Sequence, residues 1–193
     1  MTRVGNIHRK TKETDISVTL NLDGTGKSQI STGIGFFDHM LTALAVHGGL
    51  GLSVECRGDL EVDCHHTIED VGIVLGRALE EALGDRAGIA RYGSARIPMD
   101  EALACGDVDI SGRPCLVFHG EFRGERIGGM DTQMVPEFFR ALAFNAGITL
   151  HLNLLYGEND HHKAEALFKA FAHAFRAAAF PSGTLPLSTK GVL

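Results

Sequence analysis

Several kinds of segment are missing from this chain of 193 residues, and each absence excludes a class of protein. No apolar run approaches the roughly 20 residues that a membrane-spanning helix needs, and no signal-peptide core follows the first residues. The four cysteines form no C-x-x-C pair, which is typical of a reducing cytosol. Positive charge is also scarce: the net charge of −6 argues against a nucleic-acid or anionic-membrane partner. We therefore expect a soluble, cytoplasmic, globular protein.

The most unusual motif of the chain occurs twice. Two adjacent histidines and a glutamate four positions after the first of them recur at a shift of 96 positions. The motif opens a stretch of helical apolar spacing, which places His65 and His66 in the first turn of a helix. A good N-cap residue, Asp63 or Asn159, precedes each pair. The two copies are residues 63–70 and 159–166.

The spacing inside this motif suits metal ions. On a helix, His65 and Glu69 lie one turn apart and can converge on one point, whereas His66 points about 100 degrees away. Neighbouring histidines therefore suit two different ions. A lone copy would be typical of a solvated helix end, but two copies supply four imidazoles and two carboxylates without a thiolate. This ligand set suits Mn, Fe, Co, Ni or Zn and disfavours a structural zinc site.

The rest of the chain also reads as a duplication. Apolar periodicity predicts three strands, a helix, a strand and a helix, twice over, in repeats of about 1–90 and 91–193 with a linker near 84–93. A turn at 23–26 predicts a hairpin with a return strand near 28–32, followed by a helix that starts near Asp38. We expect one domain over residues 1–193, of the α+β class, built from a duplicated half-domain with its helices packed between two sheets. Phe168, Phe171 and Phe175 have helical spacing and are expected in its core.

Five stretches of the sequence resemble one known family, imidazoleglycerol-phosphate dehydratase of histidine biosynthesis. They are residues 35–41 (GFFDHML), 64–70 (CHHTIED), 145–151 (NAGITLH), 159–162 (NDHH) and 188–191 (STKG). The resemblance runs from about Arg9 to the C-terminus. It implies the ribosomal protein S5 domain 2-like fold and the dehydration of D-erythro-imidazoleglycerol phosphate to imidazole-acetol phosphate. It also implies two Mn²⁺ ions per active site and a particle of 24 subunits whose metal sites are shared between subunits.

The resemblance further implies a role for individual residues. One metal ion would be held by His39, His66, His161 and Glu165. The other would be held by His65, Glu69, His162 and Glu137. Many members of the family have histidine at the last of these positions, but a carboxylate can also bind the metal.

The proton that the reaction removes is not acidic by itself, so a general base is required. The resemblance assigns this acid/base role to Glu13, which on residue pattern alone would be an exposed carboxylate at a strand edge. Asp100 and Glu101 mirror this region in the second repeat and stay unassigned. The substrate would be bound by Glu13, His47, Arg91, Arg113, Lys169, Ser188, Thr189 and Lys190.

Two other functions remain open at this point. A two-metal site with basic residues also suits a phosphate-ester hydrolase, although the ligands here are rich in imidazole. Alternatively, the repeated motifs could be structural clips that assemble an oligomer around metal without catalysis.

Overall fold

The structure, a computed structural model, describes residues 3–185, 187–188 and 191. In these residues the chain forms ten strands and four helices, and the strands make two four-stranded sheets and one short hairpin. The elements are β1 (Val4–Lys10), β2 (Thr14–Asn21), β3 (Ser28–Ser31), α1 (Gly35–Gly48), β4 (Gly51–Gly58), α2 (His65–Leu83), β5 (Tyr92–Met99), β6 (Ala102–Asp109), β7 (Cys115–His119), β8 (Arg126–Ile127), β9 (Met130–Asp131), α3 (Met134–Ala146), β10 (Thr149–Tyr156) and α4 (Asp160–Ala178).

The two large sheets have the same topology, which confirms the predicted duplication. Their strand orders are β1-β2-β4-β3 and β5-β6-β10-β7. β2 runs antiparallel to β1 and to β4, and β3 runs parallel to β4. In the same way, β6 runs antiparallel to β5 and to β10, and β7 runs parallel to β10. β5 and β6 start 88 positions after β1 and β2, and β10 starts 98 positions after β4. The fold is therefore α+β, as expected.

The predicted hairpin between β2 and β3 is wrong. β4 lies between these strands, and β3 pairs in parallel with β4, with Ser28 opposite Leu52. Because β1 and β4 already pair with β2 along its two edges, β3 has no free edge of β2 to join. Helix α1 also begins earlier than predicted, at Gly35, because the Asp38 carboxylate binds back to the N–H and hydroxyl of Thr32 instead of opening the helix.

The helices of both halves lie between the two sheets. α2 packs on β1 and β2, α4 packs on β5 and β6, and across the middle α2 contacts α3 while α1 contacts α4. At two equivalent places a helix carbonyl comes so close to a strand that only glycine fits. A Cβ on Gly5 would lie 2.1 Å from the oxygen of Ala78, and one on Gly93 would lie 2.0 Å from that of Ala174. The same close approach is thus built twice.

The core is most aromatic in the second half of the chain. Phe168, Phe171 and Phe175 are buried on α4, as predicted from their spacing. The ring of Phe168 lies 4.7 Å from that of Phe139, centroid to centroid, and 5.3 Å from that of Phe138. None of the described helices is both long and apolar enough to cross a membrane.

Candidate functional site

Both histidine pairs lie in the first turn of a helix, as the sequence predicts. α2 begins at His65, and α4 begins one residue before its pair. Asn159 caps α4, and its side chain accepts the backbone N–H of His161 at 2.9 Å. The cap position of α2 is Cys64 rather than the predicted Asp63, although the Asp63 carboxylate still accepts the N–H of His65 at 2.7 Å. Relative to the motif, the two helices therefore start one residue apart, but in both the N–H of the first histidine donates to the side chain two residues before it.

One group of side chains converges as a metal site requires. His39 on α1, His161 and Glu165 each offer a ligand atom, and these atoms all lie within 4.8 Å of one another. The Oε2 atom of Glu165 is 3.6 Å from Nε2 of His39 and 3.3 Å from Nε2 of His161. No other such group of three or more His, Cys, Asp or Glu side chains is found in the described part of the chain. Two imidazoles and a carboxylate without thiolate suit Mn²⁺ and related ions.

The carboxylate of this cluster is ionised despite its burial. Burial raises the pKa of Glu165, but the hydrogen bond from Lys169 and the nearby charges of Lys169 and the two histidines outweigh it, so the pKa is lowered overall. The ammonium group of Lys169 lies 2.7 Å from Oε1, one helical turn away. This leaves Oε2 facing the histidines, ready to bind a cation.

Two residues of the second predicted ligand set, His65 and Glu137, line one open cavity. Nε2 of His65 lies 3.4 Å from Oε2 of Glu69, one turn along α2. Glu137, in the first turn of α3, lines a cavity of about 510 Å³ together with His65. Nε of Arg140 lies 3.3 Å from the Glu137 carboxylate. Three of the four predicted ligands are thus on or beside one surface of the chain.

Two predicted ligands, His66 and His162, stand apart from these groups. Each is held at Nδ1 by a carboxylate: Asp59 lies 3.0 Å from His66, and Glu101 lies 2.6 Å from His162. These hydrogen bonds raise the pKa of both imidazoles. The pKa of Glu101 is lowered to about 2, first by the backbone N–H of Asn159 and then by His162 and the N–H of Glu158.

The predicted general base lies next to one of these histidines. Glu13 is exposed in the turn between β1 and β2, and its Oε1 atom is 3.9 Å from Nε2 of His66. The backbone of this turn is well anchored, because the Thr11 hydroxyl accepts the N–H groups of Glu13 and Thr14. An exposed carboxylate is thereby presented on a fixed backbone.

Three of the predicted phosphate-binding residues lie near one another. Asp109 accepts the side chain of Arg91 at 2.7 Å and that of Arg113 at 3.4 Å. Arg91 also donates to the carbonyl of Leu187 at 2.6 Å, which brings the neighbouring Ser188 toward the same place. The hydrogen bond to Asp109 raises the pKa of Arg91 and outweighs burial, which lowers it, so the pKa is raised overall. Thr189 and Lys190 lie outside the described residues.

His47, predicted to bind substrate, lies near Lys169 and contacts a residue that the sequence did not single out. Nδ1 of His47 is 3.3 Å from Nε2 of His173. Burial, followed by the charges of Lys169 and His173, lowers the pKa of His47. His47 is therefore favoured as a neutral ring.

The structure adds Asp59, Glu101 and His173 to the residues found from sequence. Glu101 had a signal, because it stands at the shift of 88 from Glu13. The other two had none, since their contacts depend on how separate elements pack.

Comparison with known proteins supports one family. A family model described as "IGPD: Imidazoleglycerol-phosphate dehydratase" matches residues 32–175, which is most of the chain. The chain belongs to the imidazoleglycerol-phosphate dehydratase family. As a member it is a hydro-lyase.

Relatives in this family cover the whole chain. The imidazoleglycerol-phosphate dehydratase of Acetivibrio thermocellus is 56% identical over 195 residues, which is 100% of both chains. That of Methanococcoides burtonii is 60% identical over 191 residues, covering 99% of this chain and 100% of the relative.

Solved structures of the family have the same fold. The crystal structure of imidazoleglycerol-phosphate dehydratase from Staphylococcus aureus matches with a TM-score of 0.84 at 42% identity, covering 93% of this chain and 99% of that one. The Pyrococcus furiosus structure matches with a TM-score of 0.84 at 39% identity, covering 97% of this chain and 100% of that one.

Proposed function

We propose that this chain dehydrates D-erythro-imidazoleglycerol phosphate to imidazole-acetol phosphate and water in histidine biosynthesis, with two Mn²⁺ ions per active site. The observation that carries the proposal is the convergence of His39, His161 and Glu165 in a member of this family. The choice of substrate follows the name of the relatives, and the choice of metal follows the nitrogen and oxygen donors of the cluster. Zn, Fe, Co and Ni remain compatible with the same donors.

The eight metal ligands are those predicted from the sequence. His39, His161 and Glu165 would hold one ion with His66, and His65, Glu69 and Glu137 would hold the other with His162. When bound, the ions would act as Lewis acids that stabilise negative charge on the substrate's imidazole. Lys169 would keep the Glu165 carboxylate ionised and oriented, as its 2.7 Å contact indicates.

The reaction removes a hydroxyl from the carbon that carries the imidazole ring and a proton from the neighbouring carbon, and the resulting enol becomes the ketone. Glu13 is the base that we assign to the proton. Its exposure and its position 3.9 Å from His66 support this role, because a base beside a metal ligand would lie beside bound substrate.

The phosphate would be bound by Arg91 and Arg113 together with Ser188, Thr189 and Lys190. Guanidinium groups bind phosphate through paired hydrogen bonds. Both arginines form ion pairs with Asp109, and Arg113 is the more exposed of the two. We therefore expect bound phosphate to draw Arg113 away from Asp109. His47, neutral and beside Lys169, would contact the substrate as a hydrogen-bond partner.

We infer that the active sites form between subunits of a homo-oligomer, of 24 subunits if this chain follows its family. Two observations support sharing. His66 and His162 each stand apart from the other ligands of their set within one chain, and exposed apolar side chains such as Val46, Phe144 and Tyr156 are available for interfaces. A cytoplasmic location is part of the same proposal.

The test is turnover by metal-stripped protein, with and without added Mn²⁺, following imidazole-acetol phosphate and inorganic phosphate separately. The proposal predicts the ketone product only when metal is present. Release of inorganic phosphate would instead identify a phosphate-ester hydrolase. Assembly on adding Mn²⁺ without any reaction would identify the repeated motifs as structural clips.

The role of Glu13 has its own test. Glu13→Gln should lower turnover about 10²–10⁴-fold, the usual contribution of general acid–base catalysis. Binding of Mn²⁺ should be unchanged, and Glu55→Gln, an exposed carboxylate on β4, is the matched control. Full turnover by Glu13→Gln would remove the assignment.

A further inference from the structure

The two histidines that stand apart from the other ligands are held in the same chemical way. Both carboxylate oxygens of Asp59 lie within hydrogen-bond distance of Nδ1 of His66, at 3.0 and 3.2 Å. Oε2 of Glu101 lies 2.6 Å from Nδ1 of His162. A ring that donates its Nδ1–H to a carboxylate keeps its lone pair on Nε2. In both residues Nε2 is thereby the atom available to a metal ion.

The two carboxylates come from places that are not equivalent in the duplicated fold. Glu101 is the counterpart of Glu13, at the shift that relates the first two strands of each sheet. β10 carries a bulge between Leu154 and Tyr156 that β4 lacks, so Gly157 is the counterpart of Gly58, and Glu158 is the counterpart of Asp59. The same task is therefore performed by the turn between two strands in the second half and by the turn before the helix in the first half.

In the second half, Glu158 contributes its backbone to this arrangement. The Oε1 atom of Glu101 accepts the N–H groups of Glu158 and Asn159 at 3.0 and 2.7 Å, which fixes Glu101 in place. Its Oε2 atom is left for His162.

In the first half, Asp59 rather than Glu13 holds Nδ1 of the histidine. The Asp59 carboxylate occupies Nδ1 of His66, and its backbone N–H donates to the carbonyl of Glu13 at 3.1 Å. Glu13 is thereby fixed through its backbone while its side chain remains exposed.

We propose that Asp59 and Glu101 are positioning residues that present His66 and His162 to metal through Nε2, and that Asp59 leaves the Glu13 carboxylate available for proton transfer. This inference rests on the proposed function. It assigns two residues a task that follows from the geometry of this chain, namely the choice of ring tautomer.

The experiment measures Mn²⁺ affinity by calorimetric titration of the metal-stripped full chain. Asp59→Ala should weaken binding about 10–100-fold at one site, the usual effect of removing the partner of a ligating histidine. Asp59→Asn should recover most of that affinity. The asparagine side chain can turn its amide oxygen toward Nδ1 of His66 and accept the Nδ1–H, as the carboxylate does. Glu61→Ala, an exposed carboxylate in the same turn, is the matched control and should bind like wild type.

In the second half, replacing the carboxylate by an amide should weaken Mn²⁺ binding instead of preserving it. In Glu101→Gln the two backbone N–H groups hold the amide oxygen, so the amide NH₂ faces Nδ1 of His162 and favours the tautomer that is protonated on Nε2. We therefore expect Glu101→Gln to lose about 10–100-fold in affinity, with Glu158→Ala as the unaffected control.

The outcomes separate this inference from the function on which it rests. Wild-type affinity in both Asp59→Ala and Glu101→Gln would overturn the positioning role and leave the proposed function intact. Absence of Mn²⁺ binding by the wild type would overturn both.

A second measurement tests the release of Glu13. Asp59→Ala frees Nδ1 of His66, and we expect its kcat to stay below wild type even at saturating Mn²⁺, because Glu13 then takes up the contact with His66. The matched control, Glu61→Ala, should have wild-type kcat under the same conditions. Full kcat in Asp59→Ala would overturn this part of the proposal.

Discussion

The contact of the first two strands with the helix that carries the histidine pair is polar in the first half of the chain, where the helix is α2, and apolar in the second, where it is α4. In the first half, Arg9 of β1 lies 2.6 Å from the Asp70 carboxylate on α2, and the hydroxyl of Thr14 donates to the same carboxylate at 2.5 Å. The equivalent residues of the second half are Ile97, Ala102 and Ala166. The same backbone arrangement thus carries two different kinds of contact.

We interpret this difference as a requirement of the site rather than of the fold. The apolar set holds strand and helix together in the second half, so the fold does not require the polar set. A buried ion pair also costs desolvation, and an apolar set of similar shape is often as stable. What the polar set adds is position: Thr14 follows Glu13, and Asp70 lies one turn after His66. We interpret it as a link between the proposed base and a metal ligand.

Removing the shared carboxylate should produce the largest change in stability. Asp70→Ala leaves Arg9 and Thr14 without their partner in a buried place and should lower the free energy of unfolding by about 3 kcal/mol. Replacing all three residues by their second-half counterparts, as Arg9→Ile, Thr14→Ala and Asp70→Ala together, should recover at least half of that loss. Urea unfolding at fixed protein concentration measures both.

Asp107→Ala, an exposed carboxylate on β6, is the control for this series and should leave the unfolding midpoint unchanged. A triple variant less stable than Asp70→Ala would contradict the view that the apolar contact of the second half is sufficient for the fold.

The close approach of helix to strand should be equally sensitive in both halves. Gly5→Ala and Gly93→Ala each push a methyl group against a helix carbonyl, and each should lower the free energy of unfolding by about 2 kcal/mol. Thermal unfolding measures the change, with Gly183→Ala as a control because a Cβ there meets no atom within 4 Å. Tolerance of alanine at one glycine but not the other would show that the two halves are packed differently.

The smallest effect should be a dependence of stability on pH from Glu101. Its folded pKa of about 2 lies below the ordinary value of 4.5, so its contribution to stability is present above 4.5 and lost as the pH falls toward 2. Metal-free Glu101→Gln should therefore unfold at a lower temperature than wild type near neutral pH. The gap should narrow as the pH falls below 4.5, and Glu158→Gln should unfold like wild type throughout. A gap that is constant with pH would show that the charge of Glu101 contributes nothing.

The sequence was informative where a pattern is local. Apolar periodicity predicted the order of the main strands and helices, and the repeated histidine motif predicted two helix starts within one residue of their positions. Residues 23–26 predicted a change of direction correctly, but a turn does not determine which strand the chain joins next. β4, which comes later in the sequence, takes the place beside β2.

The site was less predictable because its contacts join distant segments. His39 and His161 meet through packing of α1 on α4, and residue pattern alone would not pair them. Glu101 reaches His162 across 61 positions, and its role became visible only when its hydrogen bonds to residues 158 and 159 were known. Conversely, Glu13 and Glu101 are equivalent by sequence, yet the Glu101 carboxylate takes part in three hydrogen bonds, whereas that of Glu13 lies 3.9 Å from Nε2 of His66.

The most direct test of this division between the halves is the turnover of Glu13→Gln and Glu101→Gln, measured side by side against Mn²⁺ concentration. We predict that Glu101→Gln needs more Mn²⁺ and approaches wild-type turnover when saturated, whereas Glu13→Gln saturates like wild type and stays about 10²–10⁴-fold slower. Identical Mn²⁺ dependence and identical loss of turnover in the two variants would contradict it, because the two carboxylates would then perform the same task.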